Sequence, residues 1–277
     1  MTNQNLSDSL VKEILNYLGC PPKAPTLRYL NQLIHAYIRR VPWESVSRIV
    51  KRHATLATKD CPRLPEEFWT EAMQYGFGGT CFESSLAFYS LLTALGYEGY
   101  LTGNDMGESR GCHAAIVIIV GGQKYLVDNT IPVHTAVRIN PRKVTRRWTP
   151  VYNYALHPVW KNVYEVKRSH NSKRISFMLI DVPVSLPDYH IIVQNDYLET
   201  GNFNKNVVMN KVINNKTTLF FSDHQPYKLE RHNKRGRWET PLRSEILPRA
   251  LAKTFNMPEG SISAALSWIS SLPVAGP

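Results

Sequence analysis

A cysteine that directly follows two glycines is the first residue in this chain that could do chemistry. The segment Gly78–Gly79–Thr80–Cys81 precedes an apolar stretch that predicts a helix from Phe82 to Leu95, so Cys81 is expected at a helix start. A helix N-terminus presents unpaired N–H groups and a partial positive charge, which favour a thiolate. Cys81 is therefore the candidate nucleophile, although an arbitrary cysteine is more often a buried and inert packing residue.

A candidate base and its acidic partner follow on a predicted β-hairpin. His113–Val120 and Gln123–Asp128 have the composition of strands, and Gly121–Gly122 suits a two-residue turn between them. In that register His113 and Asp128 are diagonal neighbours on one face, within reach of a carboxylate–imidazole hydrogen bond. A three-residue turn would place them on opposite faces.

Together these side chains have the types needed for covalent acyl transfer. Cys81 would form a thioester, His113 would move the proton, and Asp128 would fix the imidazole tautomer. The same Cys, His, Asp order occurs in transglutaminase-like and papain-like amide hydrolases, so such an enzyme is an alternative. A second alternative is a non-catalytic basic binding protein.

The composition limits the class of protein and its partners. The chain has 277 residues, and 33 Lys and Arg against 22 Asp and Glu give a net charge of +11. An apolar fraction of 43% is too high for a disordered chain, and no apolar run is long enough to cross a membrane. We therefore expect a soluble globular protein with no membrane partner.

The N-terminus and the cysteines predict a cytoplasmic location. The segment from Met1 to Asp8 has no basic start followed by an apolar stretch, as a secretory signal would have. The cysteines form no Cys-x-x-Cys pair, which favours reduced thiols. A zinc site built from Cys61, Cys81, Cys112 and a histidine lacks paired ligand spacing, so we expect no metal.

Two basic runs could bind phosphate groups. One extends from Arg138 to Trp148 and the other from Lys228 to Trp238, each ending in an aromatic residue that could stack on a base. Solvated surface loops are the favoured interpretation, and the phosphates of a small-molecule substrate are the next. Since no recognised nucleic-acid-binding motif accompanies them, we expect no nucleic-acid partner.

The elements that must position these residues change in character along the chain. Residues 1–96 have helical periodicity, with caps expected at Ser7 or Asp8 and at Gly19 and with a helix opening at Pro65. Residues 97–200 are rich in β-branched and aromatic stretches, which predict a sheet or barrel. Residues 201–277 combine short strands with a helix at Leu247 to Phe255. The fold class is therefore α+β, with a helical bundle first and a smaller α/β unit last.

Several of these segments resemble the arylamine N-acetyltransferase family. That family has its catalytic cysteine in an R-G-G-x-C motif, and its His and Asp are fifteen residues apart, as are His113 and Asp128. The segment Val41–Glu44 resembles the I-P-F-E-N motif of the family, and Tyr125–Asp128 matches its Y-L-V-D. The likeness extends over roughly residues 10 to 132.

The resemblance implies a helical bundle, a central antiparallel β-barrel and a C-terminal α/β lid, around a Cys-His-Asp core like that of cysteine proteases. We expect these units at 1–96, 97–200 and 201–277. It also implies a ping-pong reaction in which acetyl-CoA acylates Cys81 and the acyl group passes to an arylamine, a hydrazine or a related amine. The protein would act as a monomer or small homo-oligomer, with acyl-CoA and a small-molecule amine as its partners. Residues expected to contact substrate are Trp43, Phe77, Gly79, Thr80 and Thr130.

The chain departs from the family pattern at two places. Phe77 stands where the family has an arginine that supports the carboxylate corresponding to Glu44, so Glu44 is expected to lack its partner. After Asp128 the family has a glycine-flanked aromatic residue, whereas this chain continues as Asn129–Thr130–Ile131–Pro132. Because that segment lines the acceptor pocket in relatives, the departure leaves the acceptor and the acyl chain open.

Overall fold

The N-terminal part of the protein is helical. The structure is a computed structural model that describes residues 6–130, 133–170, 173–198, 201 and 203–271. This part contains helices α1 (Asp8–Leu18), α2 (Leu27–Arg40), α3 (Val46–Ala54), α4 (Pro65–Tyr75) and α5 (Cys81–Ala94), and the two-residue strand β1 (Trp43–Glu44).

The helix ends follow from local chemistry. The Ser7 hydroxyl accepts the N–H of Leu10, and Gly19 ends α1 with a left-handed φ of 69°. Pro65 occupies the first turn of α4, and Gly76 closes that helix with a φ of 70°. These caps confirm the predicted ends of α1 and α4.

The central part is an antiparallel sheet that curls into a nearly closed barrel. Its strands lie in the order β5-β4-β3-β2-β9-β8-β7-β6, and the two end strands, β5 and β6, lie close together. Their bounds are β2 (Glu98–Met106), β3 (Ser109–Val120), β4 (Gln123–Val127), β5 (Val137–Arg138), β6 (Thr145–Trp148), β7 (Asn153–Trp160), β8 (Val163–His170) and β9 (Lys173–Ile180). The barrel confirms the predicted fold class. One large apolar core joins it to α1, α2, α4 and α5.

The C-terminal part is a second antiparallel sheet with helices packed on it. Helix α6 (Leu186–Asp196) connects the barrel to this sheet. The sheet order is β1-β10-β11-β12-β13. The remaining elements are β10 (Val208–Ile213), β11 (Lys216–Phe221), β12 (Lys228–Asn233), β13 (Gly236–Pro241), α7 (Leu247–Phe255) and α8 (Glu259–Ser271).

Two contacts cross the boundaries expected at residues 96 and 201. Strand β1 pairs with β10, with Trp43 opposite Asn210. Helix α3 packs against α8, and Phe77 belongs to the apolar cluster of the C-terminal sheet and helices. The N-terminal residues thus form one edge of the C-terminal unit as well as the helical bundle.

Three helices are absent from the sequence prediction, and each has a weak local signal. The side chain before α3 does not cap it, and α8 is dominated by small residues. Helix α6 lies inside the stretch that we predict as sheet, although Ser185 caps it by accepting the N–H of Asp188. That Ser-x-x-Asp pattern is the signal that could have revealed α6. Among the described residues, no helix combines the length and apolarity that crossing a bilayer requires.

Candidate active site

Cys81 is the first residue of α5, as its position after the glycine pair predicts. Thr80 is the N-cap residue, but its side chain does not cap the helix. The Thr80 Oγ1 instead accepts a hydrogen bond of 3.2 Å from Nη1 of Arg48. The Thr80 side chain therefore does not use the N–H groups at the start of α5, the helix whose first residue is Cys81.

The hairpin has the predicted register. Val120 pairs with Gln123 across the turn and Ile116 pairs with Val127. Gly121 and Gly122 both have positive φ, at 56° and 70°, which a two-residue type I′ turn requires. Continuing this register places Asp128 opposite Ala115, two residues from His113, so both side chains lie on the same face, as expected.

That register brings His113 and Asp128 into contact. His113 Nε2 lies 2.8 Å from Asp128 Oδ2, and both side chains are buried. The other Asp128 oxygen, Oδ1, accepts the backbone N–H of Thr130 at 3.0 Å and its hydroxyl at 2.9 Å. Asp128 is thus held from two directions, and its carboxylate can fix the orientation of the imidazole.

The Cys81 thiol interacts with the His113 ring. Burial lowers the pKa of His113, but the charge of Asp128 and its hydrogen bond outweigh burial, with a further contribution from Cys81, and raise the pKa to about 10. His113 is therefore an imidazolium at neutral pH. Because Asp128 engages Nε2, Nδ1 is the ring nitrogen left to face the thiol.

The immediate surroundings of the thiol are tight. Cys81 is 4% exposed, and its Sγ lies 3.8 Å from the backbone oxygen of Cys112. The ring of Phe177 packs edge-on against His113 at 4.6 Å between centroids. Cys112 itself is partly exposed and its Sγ donates to the Ser109 oxygen at 3.4 Å.

The aromatic residues expected at the acceptor site have different surroundings. Trp43 bridges to Gly79 and its ring packs edge-on against that of Phe203 at 5.0 Å, with both side chains half-buried. This pair lies beside the turn that leads to Cys81. Phe77 is buried in the apolar cluster of the C-terminal sheet and helices and contacts the ring of the exposed Tyr75, which favours a packing role. Contact of either residue with a substrate stays a prediction.

The other residues expected to contact substrate form hydrogen bonds within the protein. The Gly79 oxygen accepts hydrogen bonds from the Ser84 hydroxyl at 2.9 Å and from the Glu44 N–H at 3.3 Å. Thr80 binds Arg48, and Thr130 binds Asp128. Through these contacts Gly79, Thr80 and Thr130 act on the shape of the site, and substrate contact by them stays a prediction. Ile131 and Pro132, which follow Thr130, lie outside the described residues.

The expectation that Glu44 lacks a partner is wrong. Glu44 Oε1 accepts the N–H of Gly78 at 3.0 Å, and Oε2 accepts the N–H of Ser47 at 2.9 Å. Burial raises the pKa of Glu44, while the nearby charge of Arg63 opposes that rise. An arginine far from position 77 along the chain therefore supplies the positive charge that Phe77 cannot.

Two buried arginines around the nucleophile turn escaped sequence analysis. Arg63 pairs with Glu83 at 2.7 Å, and Arg48 pairs with Asp196 at 2.6 Å. The Tyr197 hydroxyl donates to Glu83 at 2.6 Å and links the two pairs. No local motif marks either arginine, because Glu83 and Asp196 lie 20 and 148 positions away along the chain.

The described residues contain no group of three or more His, Cys, Asp or Glu side chains arranged to hold a metal ion. The cysteines at 20, 61, 81 and 112 are free thiols.

Comparison with known proteins gives a family match for the segment that carries these residues. Residues 26–145 match the N-acetyltransferase family model. That segment includes the nucleophile turn, the hairpin and β1. Among curated proteins, none matches the sequence of this chain.

Solved structures share the fold over almost the whole chain. An arylamine N-acetyltransferase from Mycobacterium abscessus has a TM-score of 0.77 at 16% identity, with 95% of each chain covered. That of Mycobacterium marinum in complex with CoA has a TM-score of 0.78 at 14% identity, covering 94% of this chain and 99% of the other. The enzyme from Bacillus cereus, which has a Cys-His-Glu catalytic triad, has a TM-score of 0.71 at 15% identity, covering 91% and 99%.

The low identities explain why the resemblance is visible only in short motifs. The match of residues 26–145 covers the nucleophile turn and both strands of the hairpin, and the shared fold extends beyond it to the C-terminal sheet. The chain thus carries an N-acetyltransferase family match over residues 26–145 and has the fold of solved arylamine N-acetyltransferases over almost its whole length.

Proposed function

We propose that this protein transfers an acetyl or other acyl group from acyl-CoA to an aromatic amine, a hydrazine or a related amine through a thioester on Cys81. The observation that carries the proposal is the contact of His113 with both Asp128 and Cys81 at the start of α5. The family match and the CoA complex of the Mycobacterium marinum relative support it. In this proposal Cys81, His113 and Asp128 are the catalytic residues.

In the first half-reaction, the Cys81 sulfur attacks the carbonyl carbon of the acyl-CoA thioester. The proton of the thiol is held by His113, so the attacking group is a thiolate. Negative charge develops on the carbonyl oxygen, and N–H groups at the start of α5 are placed to stabilise it. The bond to the CoA sulfur then breaks, CoA leaves with the proton from His113, and acyl-Cys81 remains.

In the second half-reaction, the amine nitrogen attacks the carbonyl carbon of acyl-Cys81. His113, now neutral, accepts the proton that the nitrogen loses as the new amide bond forms. The bond from carbon to the Cys81 sulfur breaks, which regenerates the thiolate and the imidazolium. Asp128 stabilises His113 in its charged state at the start and end of each cycle.

The amine is expected to lie near the half-buried pair Trp43 and Phe203. Two aromatic rings beside the turn offer an apolar wall on which an aryl group can pack. On the other side, Asn129 is tied to α5, since its amide donates to the Ser84 oxygen at 3.2 Å. Asn129, which stands where the family has a glycine-flanked aromatic, is therefore buried and fixed against α5.

The CoA phosphates need cationic partners, and the two basic runs are candidates. The run at 138–148 follows β5 and β6 of the barrel, and the run at 228–238 lies on β12 and β13. The Tyr152 hydroxyl bonds to His232, so the β6–β7 turn and β12 approach each other. Phosphate binding there would use the excess positive charge of the chain. We propose three units, at 1–96, 97–200 and 201–277, acting as a monomer or small homo-oligomer in the cytoplasm.

Intact mass spectrometry with acetyl-CoA tests the proposal directly. Mixing should add about 42 Da, the mass of one acetyl group replacing a hydrogen, and peptide mapping should place it on Cys81. Cys81→Ala should abolish the adduct and the release of CoA. Cys112→Ala is the matched control, because it removes a neighbouring, more exposed thiol and should retain both. Acylation that persists in Cys81→Ala, or amide hydrolysis that needs no CoA, would contradict the proposed reaction.

A further inference from the structure

One guanidinium group connects the turn before Cys81 to the helix that follows it. Arg63 has no exposed side-chain surface, and its Nη2 donates to the Gly78 oxygen at 2.6 Å and to Glu83 Oε2 at 2.7 Å. Its Nη1 binds Glu71 of α4 at 3.0 Å. Gly78 lies three residues before Cys81 and Glu83 lies two residues after it, so Arg63 spans the nucleophile.

The turn itself is held on its other side. Glu44 accepts the Gly78 N–H at 3.0 Å, so both backbone polar groups of Gly78 bind charged side chains. Gly79 packs so closely that an added Cβ would lie 2.9 Å from Nη2 of Arg63 and 3.1 Å from Oε2 of Glu83. The backbone that leads into Cys81 therefore has little freedom to move while Arg63 is in place.

The ion pair at the start of α5 is fully enclosed. Burial alone would raise the pKa of Glu83, but Arg63 and the Tyr197 hydroxyl hold it below its ordinary value. Glu83 Oε1 also accepts the backbone N–H of Arg63 at 2.9 Å. A carboxylate bound by both the side chain and the main chain of one residue fixes that residue relative to the helix.

We propose that Arg63 is a positioning residue that sets the orientation of Cys81 relative to His113 and to the N–H groups at the start of α5. A planar guanidinium can bind the Gly78 carbonyl and the Glu83 carboxylate at the same time, which the single ammonium of lysine does less well. This inference rests on Cys81 being the nucleophile, as proposed above. It adds a residue outside the Cys-His-Asp set, on which the reactivity of that set depends.

The test separates reactivity from folding by removing the two buried charges together. Arg63→Met with Glu83→Gln removes the buried ion pair as a unit, and the glutamine still accepts from Tyr197 and from the Arg63 backbone. The variant loses the hydrogen bond to the Gly78 oxygen, together with the ion pair to Glu71 and the positive charge near Glu44. Arg63→Lys is the conservative variant, and Glu71→Gln is the control, since it removes the outer partner of the same guanidinium.

Two reactions are measured on Cys81, each resolved by mass. One is alkylation by iodoacetamide as a function of pH, and the other is acetylation by acetyl-CoA. We expect the double variant to be folded, to react about tenfold or more slowly in both, and to show a shifted pH profile for alkylation. Arg63→Lys should recover part of the loss, and Glu71→Gln should stay within about threefold of the parent.

The outcomes are decisive for Arg63 in either direction. A folded double variant that reacts at the parent rate with an unchanged pH profile would overturn the proposal. The proposal would also be overturned if the rates of the double variant fell only in proportion to its fraction of folded protein. If the double variant does not fold, Arg63→Lys decides by the same criteria. If the parent protein alkylates at Cys81 but is never acetylated, the proposed function fails, whereas the alkylation comparison still tests Arg63.

Discussion

Nε2 of His113 lies 2.8 Å from Oδ2 of Asp128, and the opposite oxygen of Asp128 is occupied twice by Thr130. The carboxylate therefore cannot rotate away from the imidazole without losing three hydrogen bonds. This arrangement decides which ring nitrogen faces Cys81, and it leaves the imidazole only one orientation in which it can exchange a proton with the sulfur.

Replacing Asp128 by asparagine should slow acylation of Cys81 by about a hundredfold to ten-thousandfold, because the amide can select the wrong imidazole tautomer and does not stabilise the imidazolium. Burst release of CoA measures the rate. Asp105→Asn is the matched control, since Asp105 is also a buried carboxylate and binds Arg110. A burst rate in Asp128→Asn equal to that of the control would contradict this role of Asp128.

Thr130→Val tests the second hold on the carboxylate. Valine removes the hydroxyl bond to Asp128 but keeps the backbone N–H bond, so we expect a loss of about 1 kcal/mol in the free energy of unfolding. The acylation rate should fall by about fivefold to tenfold. Thr102→Val removes another buried hydroxyl, which bonds the Ala115 oxygen, and should lower stability without slowing acylation. Equal acylation rates in the two variants would refute a link between Thr130 and the imidazole.

The free energy of unfolding should depend on pH because of the raised pKa of His113. Its pKa is about 10 in the folded protein against an ordinary value of 6.5, so folding favours the protonated ring. The contribution is fully present below pH 6.5 and is lost as the pH rises through about 10. Urea unfolding of the parent and of His113→Gln should show a difference that shrinks over this window. A difference that stays constant from pH 6 to 10 would argue against the raised pKa.

Gly78→Ala should disrupt the nucleophile turn through steric overlap. An added Cβ would lie 1.7 Å from the backbone oxygen of Pro42, and backbone cannot move aside cheaply. We expect a loss of about 3 kcal/mol or more in the free energy of unfolding, measured by urea denaturation. Gly103→Ala is the control, because its Cβ would meet only Val184, at 3.8 Å. If Gly78→Ala lowers the free energy of unfolding no more than Gly103→Ala does, the turn is not closely packed against Pro42.

The hairpin could be predicted because its information is local. A strand has a side-chain period of two, and Gly121–Gly122 fix the turn, so the relative positions of His113 and Asp128 follow from counting. The position of Cys81 follows in the same way from the glycines before it and the apolar run after it. The core of the candidate site was therefore accessible without a structure.

The support around that core was not accessible, because it depends on contacts between distant segments. Arg63 comes from the segment before α4, and nothing in its neighbourhood of Pro62 and Leu64 indicates a buried ion pair. The sequence shows that Phe77 stands where the family has an arginine. It does not show that Arg63 supplies the positive charge near Glu44 instead. Helix α3 was missed for the related reason that tertiary packing, more than local pattern, stabilises it, whereas α6 begins with a local Ser-x-x-Asp capping pattern.

Strand β1 has only two residues, yet it contacts both the nucleophile turn and the C-terminal sheet. Trp43 bridges to Gly79 of the nucleophile turn, and the same strand pairs with β10 near the C-terminus. A fragment that ends before β10 would leave β1 without its neighbouring strand, and so would weaken the support of the turn that β1 contacts. The backbone around Cys81 therefore depends on residues 208–213 as well as on the helix and hairpin that carry the three candidate catalytic side chains.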